Sequence, residues 1–235
     1  NHELCYATSD LPDRDFVFGG TIVSNGDVGY HGRSEKDRLN MTGTTHGSIE
    51  CINGQWYVFY HRLTHKSDYS RQACAEPITI LPDGSIPQVE ITSCGLNGKP
   101  LHGTGTYPAV IACNITNGHM PHGSNKIYTD SFPNATHCGE DRFIGEIQDG
   151  TMLGYKYFAF SGAKEIGVQY RGSCNGKFVV SDDMDGKNIV AEIPVAPADA
   201  WTESRAPLHI SDGTHPLYLF YRGDGEAAVK ELYLA

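Results

Sequence analysis

THGSIECINGQWYVFYHR, residues 45–62, is the stretch that decides the fold. Its centre, Asn53-Gly54, supplies the two positive-φ residues that a type I′ turn requires. Residues 47–52 and 55–60 flank this turn and carry the β-branched and aromatic side chains typical of strands. The stretch therefore predicts an antiparallel hairpin.

The second strand of this hairpin is apolar on both of its faces. Residues 56–60, WYVFY, place an apolar side chain at every position, whereas a half-solvated strand alternates apolar with polar side chains. We therefore expect the strand to be covered on both sides, as in the stacked blades of a β-propeller.

Further strands are predicted on both sides of the hairpin. Residues 4–7 and 15–23 read as strands upstream. Downstream, residues 77–81 and 86–91 form a predicted strand pair, because Pro82-Asp83-Gly84 between them is a strong turn signal. Together these elements make an all-β first part.

Residues 96–124 lose this regularity and are rich in Gly, Pro, Asn and His, so we interpret them as a connecting segment. A short strand over residues 107–113 is possible within it. Period-2 patterning then returns and predicts seven short strands, at residues 153–160, 165–170, 177–180, 189–195, 208–210, 217–221 and 229–234. This density of strands indicates a sandwich of two antiparallel sheets. No segment longer than one turn is predicted to be helical.

Composition excludes several classes of partner. The net charge of −10 at pH 7 argues against nucleic acid and against an anionic membrane surface, both of which need a basic face. A neutral polysaccharide is compatible with that charge. The seven widely spaced cysteines contain no CxxC pair, which argues against a zinc ribbon or a redox motif; they are expected to be buried thiols or to include one isolated disulfide. The first residue, Asn1, is not a start methionine, so we expect the chain to be a piece of a longer protein.

The two predicted parts each resemble a known family. The pieces THGSIECINGQWYVFYHR and SRQACAEPITILPDGSIPQVEIT, preceded by LCYATSDLPDRDFVFGGTIV, resemble the C-terminal blades of glycoside hydrolase family 43. This likeness covers residues 1–95 and implies the last blades of a five-bladed β-propeller. The pieces QDGTMLGYKYFAFSGA, IGVQYRG, WTESRAPLHI and GTHPLYLFYRGDGEAAVKELYLA, within residues 125–235, resemble carbohydrate-binding module family 6, which implies a jelly-roll-like β-sandwich.

The propeller resemblance implies inverting hydrolysis by carboxylates in a central funnel. An inverting acid and base stand about 6.5–9.5 Å apart so that water fits between them. In the family these carboxylates lie on earlier blades, so we assign no catalytic residue in this chain. Glu50, Glu76 and Glu90 alternate with apolar residues and are expected to be solvated or salt-bridged strand positions.

Two positions match the family's binding residues. His46, in His-Gly-Ser, matches a histidine that faces the central channel and helps to hold the sugar or a hydrated divalent cation such as Ca²⁺; the alternative is a turn residue. Arg71, in Ser-Arg-Gln, matches an arginine that reaches the sugar, for which a guanidinium offers a fixed fork of donors; the alternative is a surface ion pair. His61 and Arg62 could line the same rim or pack structurally.

The sandwich carries weaker binding signals. Trp201 lies near the family's sugar-stacking tryptophan, although it also fits a packing tryptophan one turn along. Glu146 occupies the position of an expected aromatic residue, and residues 226–231 lack the expected asparagine. An acidic metal-holding pair is not evident around residues 125–130. Both sugar binding and structural support of the propeller therefore stay open for this module.

The sequence thus predicts part of an extracellular glycoside hydrolase that acts on arabinose- and xylose-containing plant polysaccharides. The activity would be of the α-L-arabinofuranosidase or β-xylosidase type. A second chain would supply the N-terminal blades, and the chain alone would be inactive. The alternative is a non-catalytic carbohydrate-binding protein.

Overall fold

The computed structural model describes residues 2–123 and 127–235 and is all-β. The strands of the first part are β1 (Glu3–Thr8), β2 (Val17–Ser24), β3 (Ser48–Ile52), β4 (Gln55–Leu63) and β5 (Arg71–Ile78). β3, β4 and β5 form an antiparallel three-stranded sheet, and β1 and β2 form a separate ribbon. The two sheets do not close into a ring within the described residues, so the five-bladed propeller stays a prediction.

The hairpin predicted from the sequence is confirmed. β3 and β4 pair from Ser48 opposite Phe59 to the end of the turn, and Asn53 and Gly54 have φ angles of 51° and 83°. Both angles are positive, as a type I′ turn demands, and asparagine and glycine tolerate them best. The turn chemistry therefore fixes the register of the sheet that carries the candidate site.

The second predicted strand pair is wrong, because residues 86–91 form no strand. The backbone N–H of Ile86 donates to the Tyr6 hydroxyl at 2.8 Å, and that of Ile91 donates to the Asp27 carboxylate at 2.8 Å. Side chains of distant segments satisfy these donors, so the apolar residues are buried without a hydrogen-bonded ladder.

The second part is the predicted sandwich. Its strands are β6 (Leu101–His102), β7 (Gly105–Pro108), β8 (Asn114–Thr116), β9 (Asn134–Cys138), β10 (Asp141–Ile147), β11 (Met152–Phe160), β12 (Glu165–Gly172), β13 (Asn175–Ser181), β14 (Ile189–Val195), β15 (Ala198–Pro207), β16 (Gly213–Asp224) and β17 (Ala227–Leu234). One sheet has the order β15-β12-β17-β10-β9, with β7 also on β17. The other has the order β14-β13-β16-β11-β6, with β8 also on β11. A continuous apolar core fills the space between the two sheets.

Six of the seven strands predicted for this part are present. The strand predicted at residues 208–210 is wrong, because the chain leaves the sheet after Pro207 at the end of β15. β15 and the hairpin of β9 and β10 were missed. Almost every residue of β15 is exposed or half-exposed, so the strand lacks the alternation of apolar and polar side chains by which strands are recognised in a sequence.

The segment at residues 96–124 does more than connect the two parts. β6 and β8 pair with β11, and β7 pairs with β17, so the segment contributes strands to both sheets of the sandwich. The predicted boundary between residues 124 and 125 lies outside the described residues.

A buried ion cluster joins the first part to the sandwich. Lys156, on β11, places its Nζ 3.3 Å from Asp27 and 2.8 Å from Glu90, and its side chain is only 2% exposed. Glu90 also accepts a hydrogen bond from the Tyr157 hydroxyl at 2.7 Å. A buried lysine needs such partners, because an unpaired charge in the interior is strongly unfavourable. The cluster therefore fixes the two parts against each other.

Helical structure is limited to single 3₁₀ turns in the described ranges. These turns are Asn25–Asp27, Tyr30–Gly32, Glu35–Asp37, Gly95–Asn97 and Ala109–Ile111. None of them has the length or apolar character that a membrane-crossing helix requires. All seven cysteines are free thiols, so no disulfide contributes to the fold.

Candidate functional site

His46 lies at the margin of the three-stranded sheet, just before β3. It is held there by Gly47, where a Cβ atom would lie 1.8 Å from the Phe59 carbonyl oxygen. Only glycine permits so close an approach of the two strands. The exposed His46 ring consequently meets the His61 ring of β4 edge to face, with ring centroids 4.5 Å apart.

Arg71 belongs to the same cluster. It is the first residue of β5, pairs with Leu63 of β4, and is exposed. Its positive charge contributes to lowering the pKa of His61. The structure therefore places two of the three residues predicted to bind sugar, His46 and Arg71, near His61; the third, Trp201, lies on the sandwich.

The electrostatics of this cluster keep His61 neutral. Burial is the main cause that lowers the pKa of His61, and the neighbouring His46 and Arg71 add to it; backbone contacts of Thr44 and His46 oppose it. The His61 Nε2 atom is buried and has no hydrogen-bond partner among residues 2–123 and 127–235. A neutral imidazole with an unpaired ring nitrogen can exchange a hydrogen bond with a ligand hydroxyl group.

Arg62 does not belong to this cluster, although its neighbour His61 does. Its guanidinium is buried and donates to the Cys113 carbonyl at 2.7 Å and to the Ala112 carbonyl at 2.9 Å. Successive strand residues point to opposite faces, so His61 and Arg62 cannot share a surface. Arg62 instead ties β4 to the segment that leads into the sandwich.

The three carboxylates singled out in the sequence differ in environment. Glu50 is exposed, and Glu90 is salt-bridged to Lys156, as expected. The expectation for Glu76 is wrong: it is buried and accepts hydrogen bonds from the Thr92 N–H at 2.7 Å and hydroxyl at 2.6 Å, and from Tyr60. Burial raises the pKa of Glu76 to about 7 despite these hydrogen bonds.

A groove of about 870 Å³ runs between the first part and the sandwich. Arg71 and Gln72 lie on one side of it, and His137, Arg142 and Lys230 lie on the other. The sandwich residues come from β9, β10 and β17. Sequence reasoning missed them, because only the folded chain carries the hairpin of β9 and β10 to Arg71.

Trp201 packs on the outer face of the sandwich near this groove. Its Nε1–H donates to Asp141 at 2.8 Å, and the Arg171 guanidinium lies 4.4 Å from its ring centroid. Lys230, which lines the groove, lies 5.7 Å from the same ring and pairs with Asp141. The indole is half-exposed. Its N–H is hydrogen-bonded to Asp141, and the adjacent Lys230 forms an ion pair with the same carboxylate.

A second cavity, of about 520 Å³, lies on the sandwich beside this cluster and contains Glu146. Glu146 pairs with Lys66 at 2.5 Å and accepts a hydrogen bond from Asn134 at 3.2 Å. Burial acts to raise the pKa of Glu146, but these partners outweigh it and the net pKa is lowered. Glu146 therefore anchors the loop that carries Lys66 onto the sandwich.

No protein-family model matches the chain. Among curated proteins it is 43% identical over 247 residues to a protein named xylosidase/arabinosidase from Thermoclostridium stercorarium, in a match that covers 99% of this chain and 51% of that protein. The chain is a homologue of a xylosidase/arabinosidase. It spans about half the length of this curated relative.

Solved structures show to which known folds the chain is similar. A glycoside hydrolase family 43 arabinoxylan arabinofuranohydrolase from Bacillus subtilis, in complex with cellotetraose, matches 100% of this chain and 47% of its own, with a TM-score of 0.53 and 18% identity. A family 6 carbohydrate-binding module from Clostridium cellulolyticum, in complex with xylose, covers 57% of this chain and 98% of its own, with a TM-score of 0.48 and 15% identity. This xylosidase/arabinosidase homologue therefore shares its fold, over its whole length, with part of a family 43 enzyme.

Proposed function

We propose that the chain is the C-terminal part of an extracellular glycoside hydrolase that releases arabinofuranosyl or xylosyl units from plant polysaccharides. The homology to a xylosidase/arabinosidase supports this substrate class. The single observation that carries the proposal is the cluster of His46, His61 and Arg71, which combines an exposed guanidinium with a neutral, unpaired imidazole.

In this proposal the chain binds and orients the sugar. Arg71 donates to sugar hydroxyl groups, and the fixed plane of its guanidinium restricts the sugar's orientation. The Nε2 atom of His61 exchanges a hydrogen bond with a further hydroxyl, at a position where water is largely excluded. The groove next to Arg71 accommodates the neighbouring units of the polymer.

The acid and base of an inverting reaction are proposed to lie on preceding blades outside this chain. Glu76 and Glu90 are engaged in interior contacts and do not line the groove. His46 would contribute one ligand to a central Ca²⁺. Its immediate neighbours His61 and Arg71 offer no oxygen donors, so the remaining ligands would come from the same preceding blades.

Activity assays on aryl α-L-arabinofuranoside and aryl β-xyloside test this proposal. The whole protein is expected to hydrolyse at least one of them, and the 235-residue chain alone is expected to hydrolyse neither. Glu140 and Glu231 of the sandwich also line the groove, and they are the carboxylates to replace if the isolated chain is active. Such activity would contradict the assignment of catalysis to another part.

The environment of Trp201 favours a second candidate function, non-catalytic glycan binding by the sandwich. The half-exposed indole lies next to Phe143, with ring centroids 5.4 Å apart, and aromatic surfaces of this kind stack on sugar rings. Calorimetry with arabinoxylan fragments separates the two candidates. Binding that survives Arg71→Ala but is lost in Trp201→Ala would favour the binding module, and the opposite pattern would favour the propeller site.

A further inference from the structure

Two histidines and one glutamate, from three segments that are far apart in the sequence, lie close together. His2 directly precedes β1, Glu35 lies in a 3₁₀ turn, and His122 lies in the segment between β8 and β9. One nitrogen of each ring and one oxygen of the carboxylate all lie within 4.8 Å of one another. None of these residues lines the groove at Arg71.

The donor spacing matches a small metal ion. His2 Nε2 lies 3.3 Å from Glu35 Oε2, and His122 Nδ1 lies 3.5 Å from Glu35 Oε1. Zinc binds imidazole nitrogen and carboxylate oxygen at about 2.0–2.2 Å in tetrahedral geometry, which separates neighbouring donors by about 3.3–3.5 Å. The two imidazole nitrogens lie within 4.8 Å of each other, so small side-chain rotations would bring both of them and one Glu35 oxygen onto a single metal.

The backbone holds all three donors in place before any metal arrives. The Asn25 N–H donates to the His2 carbonyl at 2.7 Å, and His122 forms a parallel bridge with Thr42. The Thr42 hydroxyl donates to Glu35 Oε1 at 3.1 Å and lies 2.9 Å from His122 Nδ1. A hydroxyl in this position would orient the carboxylate of a metal site from the outer shell.

Two polar atoms of the cluster are left without hydrogen bonds. Among the described residues, the buried Glu35 Oε2 and His2 Nδ1 atoms accept or donate no hydrogen bond, although Oε2 lies 3.3 Å from His2 Nε2; unsatisfied buried polar atoms of this kind cost free energy. Arg38 opposes a metal, because its Nη1 lies 3.6 Å from Glu35. Its hydrogen bonds go mainly to the backbone carbonyls of Glu35 and Met120, however, so it does not occupy the space between the rings.

We propose that His2, Glu35 and His122 form a binding site for a transition-metal dication of the zinc type. Two imidazoles and one carboxylate suit Zn²⁺, whereas Ca²⁺ and Mg²⁺ prefer oxygen donors. Water completes the coordination. The ion cross-links β1, the loop before β3 and the segment that leads into β9, and it is distinct from a cation at His46.

Calorimetric titration of the full chain with ZnCl₂ near neutral pH tests the site. We expect one ion per chain, no binding of Ca²⁺, and at least a tenfold loss of affinity in Glu35→Gln and in His122→Gln. His119→Gln is the matched control, because this exposed histidine is three residues from His122 and outside the cluster, and its zinc binding should be unchanged.

The seven free thiols are competing zinc ligands, so a second readout is needed. The Co²⁺-loaded chain should show no thiolate-to-metal charge-transfer band. Zinc should also raise the melting temperature of the wild-type chain but not of Glu35→Gln, which keeps the shape of the side chain. Zinc binding that is absent, that persists in both Glu35→Gln and His122→Gln, or that shows a thiolate spectrum would overturn the proposal.

Discussion

At the scale of single residues, side chains that are adjacent on one strand lie in different environments. His61 is buried against the exposed ring of His46, whereas the buried Arg62 donates to backbone carbonyls on the opposite face. Glu76, on the adjacent strand β5, is enclosed with Thr92. These differences follow from strand geometry, because successive side chains point to opposite faces of the sheet.

Arg71→Ala should lower kcat/KM of the whole protein on aryl arabinofuranoside or xyloside by roughly 10- to 100-fold. A charge-assisted hydrogen bond contributes about 1.5–3 kcal/mol, which corresponds to that loss. Steady-state kinetics measure it, and the melting temperature should stay constant because Arg71 is exposed. Arg14→Ala is the control, since Arg14 is an exposed arginine far from the rim in sequence. Equal effects of the two variants would contradict the assigned role of Arg71.

Glu76→Gln should remove a pH-dependent component of stability. The pKa of Glu76 is raised from 4.5 to about 7, so its ionisation is penalised in the folded state. The stability that the protonated form provides is complete below pH 4.5 and is lost as pH rises through 7, by about 3 kcal/mol. Urea unfolding at pH 5 and pH 8 should show a larger decrease in the wild type than in Glu76→Gln. An identical decrease in both proteins would refute this.

At the scale of elements, local chemistry specifies the hairpin of β3 and β4 almost completely. The Asn53-Gly54 turn sets the register, and Gly47 lets the β3 backbone approach Phe59 closely. The predicted strand at residues 86–91 failed because distant side chains compete for its N–H donors. β15 was missed because an edge strand with exposed polar residues has no apolar period.

Gly47→Ala should destabilise the hairpin and displace His46. The added methyl group would meet the Phe59 carbonyl oxygen at 1.8 Å, so one strand must move. We expect a loss of about 2 kcal/mol or more in the free energy of unfolding, within the range of large single-site effects. Ser48→Ala, at the next and exposed position, should change stability by less than about 0.5 kcal/mol. Equal stabilities of the two variants by urea unfolding would refute the steric argument.

At the scale of the whole molecule, two sets of ion pairs are among the contacts that link the first part to the sandwich. One is the cluster at Lys156, and the other is the pair of Lys66 and Glu146. Residues of both parts also line the groove beside Arg71. The sandwich therefore helps to shape the candidate site whether or not it binds sugar itself.

Lys156→Met should weaken the junction strongly. It leaves Asp27 and Glu90 without their cation, and breaking a buried ion pair in this way costs about 3–5 kcal/mol. Calorimetry should show a lower melting temperature and a separate transition for the first part. Lys177→Met removes an exposed pair with Glu192 and should cost less than about 1 kcal/mol. A single unshifted transition in Lys156→Met would contradict the coupling.

The chain by itself should self-associate as its concentration rises. The first part exposes Phe16, Val17 and Phe18 at the start of β2 and Ile49 on β3. β3 is an edge strand, because it pairs only with β4 in its sheet. Unpaired apolar edges favour pairing between chains. Sedimentation velocity should show less association in Ile49→Lys, and an unchanged level in Leu96→Lys, where an exposed leucine lies off the strands. A monomer at every concentration would count against the proposed blade contacts.

The sequence by itself determined the all-β class, the hairpin at residues 45–62, most sandwich strands and the pairing of His46 with Arg71 as site candidates. Turn chemistry and side-chain period are local properties, so they can be read without coordinates. The tertiary structure alone decided the interior places of Arg62 and Glu76, the groove beside Arg71, and the meeting of His2, Glu35 and His122. These depend on contacts between segments far apart in the chain, and no local pattern encodes which segments will meet.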